Sequence, residues 1–315
     1  GQIFVAEAFS PEAKRRALTM VEDICAAMAQ RIQALPWMNA ETKARAQRKL
    51  EAMTPKISYP DQWKSYDGLR LEPDDYVGNW LRASEWQFDQ RLADLKQPVD
   101  RGRWWMAPHI VNAYAGGLNE IVFPAGILQP PYFSAQADDA VNYGAIGTVI
   151  GHEITHHFDD RGRQFDEVGN LADWWLAEDA RVYGELASAI AAQFDRYEPL
   201  AGQRLNGKQT LGENISDIGG VAIAYDGLRR ALARGKRAPI DGLTPEQRFF
   251  VSYGLLWREK VRPESLSEQI RTGVHSPARY RVLGPLAHST AFARAFSCPA
   301  DAPMLRAEAD RIAIW

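Results

Sequence analysis

The sequence predicts a mainly α-helical protein with a small β element, which is an α+β fold. Apolar side chains recur at helical spacing over most of the chain, whereas the β-rich runs are short and fall within residues 110–123. The 315 residues are 46% hydrophobic and 24% charged, which is typical of a globular protein and excludes disordered and low-complexity classes. A chain of this length is expected to form one or two domains with a sizeable core.

Three helices are predicted in the first hundred residues. Ser10, followed by Pro11, is a favourable N-cap for a run with helical spacing that stops at Pro36. A second helix is predicted over residues 40–53, and a third begins near Pro73. Large apolar residues at helical spacing usually face the core, so we expect burial of the following residues of the third helix: Trp80, Leu81, Trp86, Phe88 and Leu92.

The pattern changes after residue 100. Two short β-rich runs, residues 110–114 and 120–123, flank a glycine pair and predict a hairpin. Helical spacing resumes over about 138–157, and three glycines on one face indicate the close approach of another element: Gly144, Gly147 and Gly151. After a long loop, further helices are predicted over about 178–194, 211–233, 244–261 and 287–296.

Charge and hydropathy exclude several classes of partner. There are 37 Lys and Arg residues against 40 Asp and Glu residues, and this net charge of −3 predicts no nucleic-acid surface. No apolar run reaches the roughly 20 residues of a membrane span, and residues 1–10 lack the features of a signal peptide. Two cysteines, Cys25 and Cys298, do not make a disulfide framework, so their pairing and the cellular compartment stay open.

A metal-binding pattern, His152-Glu153-Ile154-Thr155-His156, lies in the helix predicted over 138–157. Histidines at i and i+4 stand one turn apart on one helix face, so both imidazoles can bind one Zn²⁺. Glu153, adjacent to the first histidine, can reach a water at the metal and act as a general base. The alternative is an exposed helix that carries these residues by chance. The glycine-lined apolar face of the helix disfavours this alternative, because it indicates that another element packs there.

A catalytic zinc ion needs a third protein ligand and an open fourth position. The candidate is Glu213, on the helix predicted over 211–233, and Asp217 lies four residues later on the same face. A carboxylate there can accept the outer N–H of a zinc-bound histidine and fix its tautomer. Without the histidine pair, Glu213 and Asp217 would be interpreted as a solvated helix face. With it, the two motifs predict a His₂Glu site for one zinc ion per chain.

At these residues the sequence resembles the neprilysin-like zinc metallopeptidases, a family that includes endothelin-converting enzyme and bacterial oligopeptidases. The resemblance lies mainly in residues 151–160 (GHEITHHFDD) and 212–220 (GENISDIGG). It extends over nearly the whole chain, through 111–114 (VNAY), 119–131 (NEIVFPAGILQPP), 142–144 (NYG), 274–277 (VHSP), Arg281 and Trp315. It implies a thermolysin-like zinc lobe, in which the HExxH active-site helix lies beside the edge strand of a β-hairpin.

The resemblance implies a role for each residue of the metal site. His152, His156 and Glu213 correspond to the zinc ligands of the family. Glu153 corresponds to the catalytic base, and Asp217 corresponds to the carboxylate that orients His152.

Substrate contacts are implied for a second set of residues. Asn112 and Ala113 correspond to edge-strand residues that hold the substrate main chain, a binding mode that tolerates many side chains. His275 corresponds to a transition-state stabiliser and Arg281 to a residue that binds the substrate carbonyl. Without the family, these two would be interpreted as a loop histidine and a surface cation. Four residues correspond to the S1′ pocket of the family: Ile127, Tyr132, Val149 and Trp257. This correspondence implies a preference for substrates with a bulky apolar residue after the scissile bond. Without the family, each of the four would be interpreted as a core residue.

Four positions depart from the family pattern. His157 replaces a glycine, and because it points about 100° around the helix from the preceding ligand, we expect it to support the site or face solvent. Ala115 replaces an aromatic residue and Gly273 a carboxylate, which implies looser substrate contact and a less firmly oriented His275. Ile312 stands where the animal enzymes carry cysteine, which favours a bacterial member.

The resemblance implies a zinc-dependent endopeptidase or oligopeptidase for short peptides, located in the periplasm or outside the cell. We divide the chain into a helical segment, residues 1–100, that packs on a zinc-binding catalytic domain, residues 101–315. Family members carry an N-terminal helical lobe that roofs the active site, and we expect that lobe to be absent from this chain. Either the lobe is a separate chain, or the protein is naturally short with an open cleft.

A rival function belongs to another class. In it, the chain is a non-catalytic, zinc-stabilised half of a two-chain protein and serves as a docking module for its partner. The presence of Glu153 disfavours the hypothesis of a non-catalytic module, because zinc binding alone does not require a general base.

Overall fold

A computed structural model describes residues 1–235 and 238–315, and most of its regular structure is helical. The helices of this described part are α1 Gln2–Ala8, α2 Pro11–Ala34, α3 Ala40–Glu51, α4 Tyr76–Asp94, α5 Asp139–Gly144, α6 Ile146–His156, α7 Ala177–Phe194, α8 Leu211–Arg234, α9 Pro245–Leu256, α10 Pro263–Thr272, α11 Ala278–Leu286 and α12 Thr290–Ala295. The strands are β1 Thr54–Ser58, β2 Tyr114–Gly116 and β3 Glu120–Pro124. The predicted mainly helical fold with a small β element is therefore confirmed.

The three strands form one sheet in the order β1–β3–β2. β2 and β3 pair antiparallel, so the predicted hairpin is confirmed, although its first strand begins at Tyr114 rather than near residue 110. β1, which was not predicted, pairs in parallel with β3 over its whole length, from Thr54 opposite Glu120 to Ser58 opposite Pro124. All residues of β3 are buried, which places the sheet against the core and leaves β2 as an edge strand.

The helix predicted over 138–157 is two helices, α5 and α6, and the single-helix prediction is wrong. The break lies at Ala145, whose φ of −95° and ψ of −97° are not helical. The N–H of Ile146 bonds the carbonyl of Tyr132, 3.0 Å away, instead of continuing the helical ladder. A tertiary hydrogen bond therefore sets the start of α6, the helix that carries the HExxH motif.

Helices α6 and α8 cross at a pair of glycines. A Cβ on Gly151 would lie 2.5 Å from the carbonyl oxygen of Gly220, and one on Gly144 would lie 2.2 Å from that of Phe249. Such distances are well inside van der Waals contact, so only glycine permits this approach. The predicted close approach is confirmed at these two positions, whereas a Cβ on Gly147 would meet its nearest neighbour at an ordinary 3.4 Å.

Helix α2 packs against α8 and α6 and supplies part of the same core. Its apolar stripe is at most 2% exposed at Met20, Ile24 and Met28. Ser10 caps it as predicted, since its hydroxyl accepts the N–H of Ala13 at 3.2 Å. Helix α2 thus packs against both helices that carry the site, while the domain boundary at residue 100 stays a prediction.

The prediction that the apolar residues of α4 lie in the core is wrong. The helix exists, but none of its residues is buried: Trp80 is 62%, Leu81 56%, Phe88 54% and Leu92 46% exposed. Trp86 is half-buried and donates its indole N–H to a neighbouring loop carbonyl. Helical spacing shows which residues share a face, but burial needs another element on that face, and the described residues leave it uncovered.

Three further findings on the described residues concern membrane spans, the two cysteines and the limits of two helices. No described helix combines the length and the apolar character that a bilayer crossing requires. Cys25 and Cys298 are not bonded to each other. Helix α9 ends at Leu256 and α12 begins at Thr290, so the predicted limits at 261 and 287 are wrong by a few residues.

Candidate active site

Two histidines of α6 and one glutamate of α8 converge at the crossing of these helices. His152 and His156 stand one turn apart, with ring centroids 4.4 Å apart. Glu213 lies in the first turn of α8, and its Oε2 is 3.2 Å from His152 Nε2 and 3.6 Å from His156 Nε2. One potential ligand atom of each residue lies within 4.8 Å of the others. The crossing at Gly151 brings together residues that are far apart in sequence.

The donor set fits a zinc ion. Glu213 Oε2 is buried without a regular hydrogen-bond partner, although an unpaired buried carboxylate oxygen is costly. The Nδ1 atoms of His152 and His156 are both engaged by carboxylates, so their Nε2 atoms are the ones that face this oxygen. Two imidazole nitrogens and one carboxylate oxygen are the ligands of many catalytic zinc sites.

Asp217 orients His152 and is itself held by Arg281. Asp217 Oδ1 lies 2.8 Å from His152 Nδ1, and the guanidinium of Arg281 donates to both carboxylate oxygens at 2.7 Å. Burial alone would raise the pKa of Asp217, but the charges of Arg281 and His152 outweigh it and lower that pKa. The guanidinium also lies 4.0 Å above the ring of Trp257. Arg281 is therefore part of the support of the site and not the surface cation that its residue type alone suggests.

Asp159 orients His156 and was not given a role from the sequence. Its Oδ2 lies 2.7 Å from His156 Nδ1, and the hydroxyl of Ser216 lies 3.0 Å from the same nitrogen. Its Oδ1 accepts the backbone N–H groups of Arg161 and Gly162. One feature of the sequence could have predicted this contact. Asp159 follows His156 by three residues at the end of a helix, and this spacing allows two side chains to meet across one turn.

Glu153 and His275 flank the ligand cluster. Glu153 is only 6% exposed and lines the same cleft as the ligands. His275 lies in the loop before α11 with a half-exposed side chain, and its Nε2 is 3.0 Å from Glu213 Oε2. Both residues therefore line the cleft into which the ligand cluster opens.

The cluster opens into a cleft of about 660 Å³. Asn112 and Ala113 line it directly before β2, so they precede the edge strand instead of lying in it. The residues predicted to form the S1′ pocket all line this cleft: Ile127, Tyr132, Val149 and Trp257. Val221 and Tyr253 belong to the same lining and were not predicted, because their spacing marks them only as core residues.

His157 does not join the ligand cluster. It is 7% exposed, and its Nε2 donates to the carbonyl of Glu120 on β3 at 3.1 Å. Burial and the nearby Lys49 ammonium lower the pKa of His157 to about 4, so the ring is neutral. It joins the end of α6 to the sheet, which agrees with the expected supporting role.

This fold and this arrangement are typical of the metal-binding lobe of metallopeptidases of the HExxH class. Two family models, both described as peptidase family M13, match residues 112–312 and 1–60. The first match alone covers more than half of the chain, and the chain therefore belongs to peptidase family M13.

Relatives of known name agree with this assignment. Neprilysin of Oryctolagus cuniculus is 39% identical over 318 residues, which cover 96% of this chain and 42% of the relative. Neprilysin-2 of Drosophila melanogaster is 43% identical, over 96% of this chain and 41% of the relative.

Solved structures give the same result. The inhibitor complex of the zinc metalloprotease Zmp1 of Mycobacterium tuberculosis aligns with a TM-score of 0.94 and 41% identity, over 100% of this chain and 48% of that one. PepO of Lactobacillus rhamnosis aligns with a TM-score of 0.89 and 36% identity, over 100% of this chain and 49% of that one. This chain spans less than half the length of each of these relatives.

Proposed function

We propose that this chain is the catalytic lobe of a zinc-dependent endopeptidase that hydrolyses internal bonds of short peptides. The observation that carries the proposal is the convergence of His152, His156 and Glu213 around one point, beside the buried Glu153 and at the floor of a cleft. Two imidazoles and a carboxylate leave a fourth position for water or substrate, as peptide hydrolysis requires.

The three ligands would hold one zinc ion per chain. The chemistry that zinc supplies when bound is Lewis acidity, which polarises the scissile carbonyl and lowers the pKa of the attacking water. Glu153 takes the proton of that water on its carboxylate and passes it to the nitrogen of the leaving amine. The buried position of Glu153 beside His152 supports this role, because a base must lie within hydrogen-bond reach of the attacking water.

Two donors face the developing oxyanion. His275 Nε2 lies 3.0 Å from Glu213 Oε2, and its half-exposed side chain lines the cleft. Arg281 bonds Asp217 through Nε and Nη2, and Nη2 also lies 4.0 Å from Glu213 Oε2, so the guanidinium reaches the ligand cluster. Fixed donors in a partly desolvated cleft stabilise negative charge in the transition state at little reorganisation cost.

Substrate binds along the edge of the hairpin. β2 has β3 on one side only, so its other edge and the preceding Asn112 and Ala113 offer main-chain and amide groups to an extended peptide. The apolar lining contributed by Ile127, Tyr132, Val149 and Trp257 supports a bulky apolar residue after the scissile bond. A periplasmic or secreted location follows from the family resemblance and belongs to the same proposal.

A second candidate is the non-catalytic docking half of a two-chain protein. The observation that favours it is the uncovered apolar face of α4, where Trp80 and Phe88 are more than half exposed. Faces of this kind commonly mark interaction sites. The two candidates share the zinc ligands and differ in whether Glu153 works as a base.

Substitution of Glu153 separates them. We expect Glu153→Gln to retain zinc and to lose peptide cleavage by about 10²–10⁴-fold, because an amide cannot accept the proton. Zinc per chain and hydrolysis of a short internally quenched peptide measure both properties. Glu264→Gln, at an exposed position of α10, is the matched control and should keep both. Unimpaired cleavage by E153Q would exclude the mechanism, and a zinc-loaded wild type that cleaves no peptide would favour the docking module.

A further inference from the structure

The loop after the active-site helix, residues 157–165, closes around a buried ammonium. Lys49, in the last turn of α3, is 1% exposed. Its Nζ donates to the carbonyl oxygens of His157, Gly162 and Phe165, each at 2.7 Å. An ammonium has three donors, so all of them are used on the backbone of this one loop.

The same loop also closes around the carboxylate of Asp159. Asp159 Oδ1 accepts the N–H of Arg161 at 2.8 Å and that of Gly162 at 2.7 Å, while Oδ2 faces His156 Nδ1. Gly162 is therefore held from both sides, its N–H by Asp159 and its carbonyl by Lys49. A Cβ on this residue would lie 1.8 Å from the carbonyl oxygen of His156, so the loop packs directly on the end of α6.

Lys49 is in turn fixed to the sheet. The amide of Asn119, in the turn between β2 and β3, donates to the Lys49 carbonyl at 2.8 Å and to that of Glu167 at 3.1 Å. The ammonium also lies 5.5 Å from the ring centroid of Phe158. Burial of a charge costs free energy unless all of its hydrogen bonds are made. The burial of this ammonium therefore requires that the loop keep its three carbonyl groups in place.

We propose that Lys49 is a positioning residue for His156. Its ammonium fixes the loop, the loop fixes the carboxylate of Asp159, and that carboxylate fixes the ring of His156. The inference rests on the proposed function in one respect, since it takes His156 to be a zinc ligand. Carboxylates behind ligating histidines set the orientation and basicity of the ring, so a displaced Asp159 weakens the hold of His156 on the metal.

A double-mutant cycle on zinc release tests this pathway in the full chain. We expect Lys49→Met and Asp159→Asn each to speed zinc transfer to a chelator about 10–100-fold, the range found for partners of metal ligands. Because both act on His156 by one route, the double variant should release zinc little faster than Asp159→Asn alone. Lys56→Met is the matched control: this lysine is also buried and paired, with Glu120, but does not touch the loop. It should release zinc at the wild-type rate.

Hydrogen exchange of the metal-free protein gives a second readout. Lys49→Met should lose protection at the amides of Arg161 and Gly162, whereas Lys56→Met should not. If Lys49→Met does not fold, Lys49→Gln, which is polar but uncharged and one bond shorter, takes its place in both experiments. Wild-type zinc release by the Lys49 variants, or rates that multiply in the double variant, would overturn the inference. A wild type that binds no zinc would instead exclude the proposed function, while exchange would still decide whether Lys49 holds the loop.

Discussion

The carboxylates that orient the two histidines differ in what lies behind them. Asp217 is neutralised by the guanidinium of Arg281, whereas Asp159 is held mainly by backbone N–H groups of its own loop. Removing the charge of Asp217 would leave a buried guanidinium without its partner, which costs several kcal/mol in typical proteins. The two histidines therefore occupy equivalent places in the proposed zinc site but are coupled to different parts of the molecule.

A histidine outside the site gives the stability a pH dependence. His288 Nε2 faces Gln193 Oε1 at 2.6 Å, and its Nδ1 accepts the N–H of Ile312 at 2.9 Å. Burial, with smaller effects of Arg306 and Arg311, lowers the pKa of His288 to about 4. The ring is thus neutral in the folded state, while in the unfolded chain it binds a proton near pH 6.5.

We expect the free energy of unfolding to fall as the pH drops from about 6.5 to about 4. In that window the His288 ring binds a proton in the unfolded state but not in the folded state. The free energy of unfolding is therefore lowered by on the order of 2–3 kcal/mol. His288→Asn keeps an acceptor for Ile312 but does not titrate, so its unfolding free energy should depend less steeply on pH. Urea unfolding of both proteins at pH 6.5 and 4.5 in chelator measures the difference without a contribution from metal release. If the unfolding free energies of the two proteins depended equally steeply on pH, His288 would not be the group responsible for the pH dependence.

The residues of the site differ in how far the sequence could predict them. His152, His156 and Glu153 lie in one helical turn, and Glu213 and Asp217 share another helix face, so periodicity alone groups them. The links of Asp159 and Lys49 to this group pass through a loop. Their hydrogen bonds go mostly to backbone atoms, which leave no mark in the residue types of the partner positions.

At the scale of elements, the site depends on the distance between α6 and α8. The proposed zinc ligands are divided between these helices, whose backbones approach closely at Gly151 and Gly220. A side chain at this crossing would push the helices apart and move Glu213 away from the histidines. The glycines therefore serve both packing and the metal site.

Gly151→Ala is expected to lower stability and zinc affinity together. A methyl group 2.5 Å from the Gly220 carbonyl forces a backbone shift, and overpacking of this kind costs about 1–3 kcal/mol. Gly184→Ala is the matched control, because a Cβ there in α7 would meet nothing within 4 Å. That variant should gain about 0.4–1 kcal/mol, since alanine suits an open helix interior better than glycine. Urea unfolding and a zinc titration measure both, and a Gly151→Ala protein as stable as wild type would contradict this account of the crossing.

Elements that depend on local spacing were predictable, and those that depend on tertiary bonds were not. The helices α2, α3, α7 and α8 follow from apolar periodicity and their ends. The break at Ala145 follows from the bond between Ile146 and Tyr132, and β1 exists because it pairs with β3. Neither partner is near in sequence, so no local pattern marks these two features.

The whole molecule divides into a packed part and a part that is not packed. No residue of 61–107 is buried, although this stretch includes the apolar helix α4. Fully buried side chains lie instead in other elements, among them α2, α9 and the two helices that carry the proposed zinc ligands, α6 and α8. Hydrophobicity alone could not separate the two parts, because burial depends on what covers a face and not only on the face itself. The stability of the molecule therefore resides largely in the part that holds the site.

Zinc should accordingly stabilise the molecule as a whole. His152 and His156 belong to α6 and Glu213 to α8, so any unfolding that separates these central helices also disperses the ligands. Binding to the folded state alone adds RT ln(1 + [Zn²⁺]/Kd), which is about 4 kcal/mol when free zinc exceeds Kd by about 1,000-fold. Thermal and urea unfolding in zinc buffers should show this logarithmic rise. Glu213→Gln should shift it to higher zinc concentrations, while Glu264→Gln should leave it unchanged. Stability that does not rise although zinc is bound would mean that the unfolded chain binds the ion as tightly, which a site built from both α6 and α8 does not allow.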